Sequence, residues 1–311
     1  MASTAHHDTS RRVFHALHDP TGAWAFTETA SRSFLRKWDL SKNARARRFR
    51  YTTPFHRMNP DGFLVDFFNS EVVNEHLQVM GSDKQWRSVV RGVPKGTAGL
   101  GDGDREDSNE VKNVGNKKCV KVAYEKIQCT STSMQIFDPL KDGSAEPRIV
   151  RDKSDALMRR VEDIIQGFPV GDELRAFLLD EANGNFENEL VAPENRREFL
   201  WKIFEHLVLG GASCQYEDSL SPYENTTKAV YKSLVRAKKK EETDGDETNA
   251  AVVSDVYLIK SVSVSASCAT ETETEVQLFP KPGHKQNWCY LCVDPWRKHV
   301  TVWYHGYVPY W

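Results

Sequence analysis

The chain has 311 residues, 39% of them hydrophobic and 11% aromatic, enough for one large or two small domains around a proper core without disulfide staples. Lys and Arg number 42 against 44 Asp and Glu, a net charge of −2, so the basic excess expected of a nucleic-acid binder or of a protein held on an anionic membrane is missing. Six cysteines (Cys119, Cys129, Cys214, Cys268, Cys289 and Cys292) are too few and too unevenly placed for a secreted disulfide framework and fit a reducing compartment.

Residues 1–23 read as a flexible polar tail without the apolar core of a signal peptide. No run approaches the roughly 18 apolar residues that a membrane span requires. A cytosolic or nuclear protein is expected, with no membrane and no nucleic acid among its partners. Residues 29–38 begin with Thr29 and place Phe34, Leu35 and Trp38 for a short packed helix. Residues 61–79 hold two more helices, the first carrying Phe63, Phe67 and Phe68 and the second Val72, Val73 and Leu77, with a break at Asn69 and Ser70. The Gly, Asp, Asn and Lys of residues 95–118 predict a disordered insertion, beyond which residues 120–127 and 133–137 alternate like strands.

From residue 153 the spacing of Leu157, Val161, Ile164 and Ile165 predicts a helix that Gly167 and Pro169 stop. Asp172 is expected to cap a helix with Leu174, Phe177 and Leu178 on its inner face. Residues 193–209 give the clearest helix, ended by Gly210 and Gly211. Strands are expected at 212–217, 228–235, 252–266, 287–294 and 298–307, with residues 236–250 an overlong, disordered hairpin loop. The fold class is therefore α+β: one domain over residues 24–311, its helical middle section packed on a largely antiparallel β-sheet in the C-terminal half, with a double-stranded β-helix as one form of that sheet.

Few residues group for chemistry. The glycines of residues 96–103 lack a following Lys-Ser or Lys-Thr pair, and three acids at their exit repel phosphate. Asp102, Asp104, Glu106 and Asp107 imitate a calcium loop but lack its glycine and its closing glutamate. Cys289 and Cys292 form a lone C-x-x-C; in a continuous strand these positions face opposite ways, and His299 and His305 sit roughly 20 Å apart, so a buried structural role is preferred to a metal site. The densest segment is residues 210–223. If it ran on as a strand, Tyr216 and Asp218 would share a face about 7 Å apart, the spacing of the first two ligands of a His-x-Asp iron site in 2-oxoglutarate-dependent oxygenases. Phenol replaces imidazole poorly at Fe(II), and no Arg follows His299 or His305 at a suitable place. No catalytic residue, no metal ligand and no cofactor are assigned; an active or degenerate oxygenase remains the alternative. The aromatic tail of Trp303, Tyr304, Tyr307, Tyr310 and Trp311 is either a docking patch or a strand with one face in the core, and Pro309 points to a sheet edge or to the end of a strand.

Several segments resemble one family specifically. Arg197 to Leu200, His206 and Leu207, Leu209 to Ala212, Cys214 to Asp218, and Ser221-Pro222-Tyr223 followed by Thr226, Thr227 and Lys228 are nearly contiguous and uncommon, and they resemble the cilia- and flagella-associated protein 300 family. Leu35 to Trp38, Asp66 to Phe68, Cys129 and Thr130 with Ser133 and Met134, Ile149 to Asp152, Asp172 to Arg175, Val293 to Pro295, Arg297, His299, Tyr304 and His305 agree in the same order. Residues 95–118 and 236–250 look like insertions relative to shorter members. The resemblance implies a non-enzymatic factor for assembly or transport of outer and inner dynein arms, needed for motility, present in the cytoplasm and the ciliary or flagellar axoneme. Its implied partners are cytosolic dynein arm preassembly factors and the intraflagellar transport machinery. The candidate partner surface or pocket comprises Tyr216, Asp218, Tyr223, Trp296 and Tyr304, whose aromatic rings are of the kind that anchor interfaces.

Overall fold

The computed structural model describes residues 12–18, 24–89, 119–144, 147–151, 154–180, 190–239, 250–265 and 273–309. In chain order, β1 (Phe14–Leu17), α1 (Thr29–Lys37) and β2 (Ala44–Tyr51) precede α2 (Asp61–Asn69), α3 (Glu71–His76) and a small hairpin of β3 (Gln78–Met80) and β4 (Trp86–Ser88). Then come β5 (Cys119–Ile127), a 3-10 helix (Met134–Lys141), the hairpin β6 (Arg159–Ile165) and β7 (Phe168–Asp172), α4 (Glu173–Asp180), α5 (Pro193–Arg197), α6 (Phe199–Leu209) and α7 (Ser221–Leu234). A hairpin of β8 (Ala237–Lys239) and β9 (Ala250–Val252) leads to β10 (Asp255–Ser265), β11 (Glu273–Val276), β12 (Trp288–Asp294) and β13 (His299–His305).

Seven of these strands form one antiparallel sheet in the order β1-β2-β13-β12-β10, with β5 along one side of β10 and β12 then β11 along the other. Because side chains alternate across a strand, each central strand feeds two cores. Trp288, Tyr290 and Cys292 of β12 join Trp303 of β13 in a core shared with α1, α4, α6 and α7, whereas Cys289, Leu291, Val293, Val300, Val302 and Tyr304 join Phe49, Phe63, Phe67 and Val73 under α2 and α3. The result is three layers, helix on sheet on helix. The α+β class is as expected, but the strands build a single sheet rather than the two facing sheets of a double-stranded β-helix.

Several local expectations give way to longer-range effects. Residues 159–172 form a hairpin instead of a helix: Gln166 and Gly167 both take positive φ, 52° and 84°, as a two-residue type I′ turn requires, and Val161 and Ile164 point into solvent. Residues 133–137 belong to the 3-10 helix, whose Phe137 and Leu140 are buried at i and i+3. Residues 228–235 are the end of α7, whose buried Tyr223, Thr226, Thr227, Val230, Ser233 and Leu234 follow a helical stripe that β-branched residues disguise. Residues 212–217 pair with no strand among the described residues. β13 lies between β2 and β12, so of the two places that Pro309 suggested the sheet edge is excluded, while Pro309 does follow the end of the strand at His305; β2, hidden in the sequence among four arginines, takes the place beside β13. The insertion 95–118, the loop tip 240–249, and Tyr310 and Trp311 lie outside the described residues.

The expected helix over 193–209 breaks at Glu198, whose ψ of 140° separates α5 from α6. Its buried carboxylate accepts hydrogen bonds from Thr130 N (2.9 Å), Ser131 N (3.2 Å) and Gln128 Nε2 (2.8 Å), and from the Thr130 hydroxyl, pinning the end of β5 to the start of α6. Glu198→Ala orphans these donors and is expected to cost about 2–3 kcal/mol, read as a lowered denaturant midpoint at unchanged slope.

Candidate functional site

The longest run of residues carrying the resemblance, 206–223, lies where α6 hands over to α7. Gly210 ends α6 at φ 64°, and a Cβ there would lie 2.3 Å from Cys214 Sγ, while a Cβ on Gly211 would lie 2.4 Å from the Asp39 carbonyl oxygen. Such closeness is open only to glycine. It lets Gly211 N donate to Trp38 O (2.8 Å), Gln215 N to Lys37 O (3.0 Å) and Ser213 N to Asp39 Oδ2 (3.0 Å), so residues 211–215 satisfy the carbonyls at the end of α1. Asp39 itself sits at φ 55° and closes that helix.

Trp38 is the centre of this junction. Its ring stacks on Tyr223 at 4.7 Å and on Phe34 at 5.3 Å, and its Nε1 donates to Glu217 Oε1 (3.0 Å), which also meets Lys37 Nζ at 2.7 Å. Tyr223 OH in turn accepts from Glu217 N at 3.0 Å. On the other side Tyr216 lies under the Arg175 guanidinium, 3.4 Å from carbon to ring centroid. Arg175 is buried against Asp172 at 2.8 Å, and Asp172 Oδ1 accepts from Arg175 N (2.9 Å) as the expected cap of α4. Burial pushes the Asp172 carboxyl above its usual range although Arg175 pulls the other way. Asp218 faces solvent and pairs with Arg159, while its carbonyl accepts from Leu157 N at 2.9 Å.

Behind the junction lies a stack of rings. His206 of α6 and His305 of β13 cover the two faces of Trp288 at 4.0 and 4.4 Å. Gln286 Nε2 donates to the carbonyls of His206 (3.0 Å) and Gly210 (2.5 Å), so its Oε1 faces His206 Nδ1 at 3.0 Å and fixes the proton on that nitrogen. His206 Nε2 accepts from Tyr290 OH at 3.0 Å. His305 Nδ1 donates to Gln286 O at 2.6 Å, leaving a buried Nε2 without a partner. Burial brings both imidazoles down to about 4.

Of the five residues singled out from sequence, Tyr216, Asp218 and Tyr223 lie along one stretch but meet different partners: Tyr216 is under Arg175, Tyr223 is against Trp38, and Asp218 faces solvent beside Arg159. Tyr223 is fully buried and acts as a packing ring. Tyr304, also fully buried, lies on the opposite sheet face, where its hydroxyl donates to Leu278 O (2.7 Å) and accepts from Met80 N (2.9 Å). Trp296, 61% exposed, tips the turn between β12 and β13. Tyr216 and Asp218 do not share a strand, so the iron-site spacing inferred for them does not arise, and the described residues hold no group of three His, Cys, Asp or Glu able to grip a metal ion. Cys289 and Cys292 face opposite cores, and burial raises the Cys289 thiol to about 12. Sequence reasoning missed the roles of Trp38, Glu217 and Arg175, although the Asp-x-x-Arg spacing at a helix start was there to read.

Fold and junction define a three-layer α+β protein whose helix hand-over is locked by an aromatic and ionic clamp. The family model for cilia- and flagella-associated protein 300 matches residues 12–95 and 104–305, and the chain belongs to that family. A Chlamydomonas reinhardtii protein named cilia- and flagella-associated protein 300 is 35% identical over 287 residues, 92% of this chain and 95% of its own length. One of the same name from Paramecium tetraurelia is 29% identical over 211 residues, 68% of each chain. The family match skips residues 96–103, inside the Gly- and Asp-rich stretch. No solved structure matches the chain. Membership associates the protein with cilia and flagella, and no helix among the described residues is long and apolar enough to cross a membrane.

Proposed function

We propose that the protein is a non-enzymatic, cilium-specific factor for the assembly or transport of outer and inner axonemal dynein arms. It would act in the cytoplasm beside dynein preassembly factors and reach the axoneme with the intraflagellar transport machinery. Family membership supports this reading, and one structural observation carries it: at the α6–α7 junction, Trp38, Arg175, Tyr216, Glu217 and Tyr223 serve as a packed clamp, with their polar groups turned on one another instead of lining an open reaction cavity. Partner contact in this reading falls on what the clamp leaves outward, Asp218 beside Tyr216, and on the exposed Trp296.

Disruption of the gene in a ciliated cell is expected to remove outer and inner arms from axoneme cross-sections and to abolish beating while the microtubule scaffold stays intact. Normal arms in such cells would overturn the reading. Recovery of the protein mainly in the detergent-soluble fraction separates an assembly factor from a fixed axonemal part.

A further inference from the structure

At the end of the sheet remote from the His206 stack lies a cavity of about 380 Å³, walled by the last turn of α7, the start of β8, β2 and the β12–β13 turn. Four cations line it, Arg48, Lys232, Arg236 and Arg297, together with His299, against a single carboxylate, Asp294. In a chain of net charge −2 this is a local concentration of positive charge and not a reflection of composition.

Arg48 decides what the cavity is for. Its Nε donates to Thr301 Oγ1 (3.1 Å), its Nη2 to Ser233 O (2.9 Å), and its guanidinium carbon lies 4.5 Å from the Trp24 ring centroid. Every one of these partners is neutral, and Arg48 closes no ion pair with a carboxylate among the described residues. A half-buried guanidinium held in place by neutral groups is a preformed receptor for an oxyanion, because the ordering has been done before the ligand arrives. Arg297 adds a second cation with no ion pair among the described residues, and Arg236 reaches Asp294 only at 4.0 Å. Asp294 Oδ1 meanwhile accepts from Trp296 N (3.0 Å) and Arg297 N (3.2 Å), which fixes the turn next to the cavity; the Trp296 indole on that turn is 61% exposed and has Lys238 Nζ 4.3 Å from its ring centroid.

We propose that this cavity docks an acidic peptide segment of a partner protein, one carboxylate or phosphate group entering between Arg48, Arg236 and Arg297 while a neighbouring apolar side chain packs on Trp296. An exposed tryptophan next to Arg297 and with Lys238 against its ring has the composition of an interface hot spot, and the rest of the indole gives the site a reason to prefer a peptide to a free ion. The pocket would bind such a segment whether or not the protein assembles dynein arms, and a measurement on purified protein is independent of any ciliary phenotype.

Fluorescence anisotropy of the full chain with a labelled peptide of Glu and Asp around one Leu tests this, beside the same peptide with Gln and Asn and a version carrying phosphoserine. Either acidic version is expected to bind, with the tighter of the two identifying the oxyanion that fits, and the neutral version not to bind. Arg297→Glu and Trp296→Ala, both at exposed positions, are each expected to weaken binding about tenfold or more, as is Arg48→Met. Absence of binding by both acidic peptides, or binding indifferent to Arg297→Glu, would overturn the proposal. So would sensitivity to Arg297→Glu with indifference to Trp296→Ala and equal competition by inorganic phosphate, which would make the cavity a small-anion site. Tighter binding of a poly-uridine oligonucleotide than of either peptide would also overturn it.

Discussion

Arg175→Leu is expected to lower stability by about 3–5 kcal/mol, because it leaves the Asp172 carboxylate buried without its counter-charge. Asp172 is 0% and Arg175 3% exposed, so water cannot take over from either partner. The same change strips the guanidinium from the face of Tyr216 and loosens residues 214–217 from α4. The double variant Asp172→Asn, Arg175→Leu removes both charges while keeping a side-chain oxygen to cap α4. It is expected to recover much of the loss, since a buried pair contributes less than the penalty of splitting it. Denaturant midpoints of the two variants and the parent measure this; equal midpoints for the single and double variants would refute the account.

Acid should destabilise the fold from about pH 6.5 downward. His206 and His305 are buried as neutral rings, with pKa values brought from the ordinary 6.5 to about 4. In the unfolded chain each binds a proton near pH 6.5, so between 6.5 and 4 the unfolded state holds more protons and stability falls as pH falls. The full contribution is present above about pH 6.5. At about 1.4 kcal/mol for each tenfold in proton affinity, the loss reaches ~3 kcal/mol per imidazole by pH 4. Glu205 beside His206 resists this, while Lys202 and Lys285 reinforce it; at His305 the hydrogen bond to Gln286 resists and His206 and His284 reinforce. His305→Asn, which cannot take up a proton, is expected to flatten the slope of stability against pH in this window even if it lowers the value at pH 8. An unchanged slope would show that the ring is not the titrating group.

What could be read from sequence was what depends on near neighbours. The helices beginning at Thr29, Asp61 and Asp172, and strands β5, β10, β12 and β13, follow apolar spacing and end signals within a few residues. Opposite burial of Cys289 and Cys292 likewise follows from strand alternation alone. Long-range partners decided the rest. The break at Glu198 needs the backbone of Thr130 and Ser131; residues 212–217 stay unpaired because the end of α1 claims their N–H groups; and β2 is a strand because β1 and β13 flank it. Of the candidate residues, the shared stretch of Tyr216, Asp218 and Tyr223 was legible from adjacency alone, but not their separate partners, Arg175, Arg159 and Trp38. Tyr304 could not be placed without knowing that the sheet is covered on both faces.

The position of β13 bears on how the chain is made. It is the last strand described, yet it lies inside the sheet, joining the N-terminal pair β1 and β2 to the strands that follow the helices. During translation β2 has no partner on its inner side until residues 299–305 have left the ribosome, and the core under α2 and α3 that β13 completes stays open as long. Joining of the sheet therefore waits for β13, with apolar strand edges exposed to aggregation or to chaperones in the interval. A premature stop just before β13 would leave the sheet in two unjoined halves, so the protein's abundance in the cell should be unusually sensitive to loss of that strand.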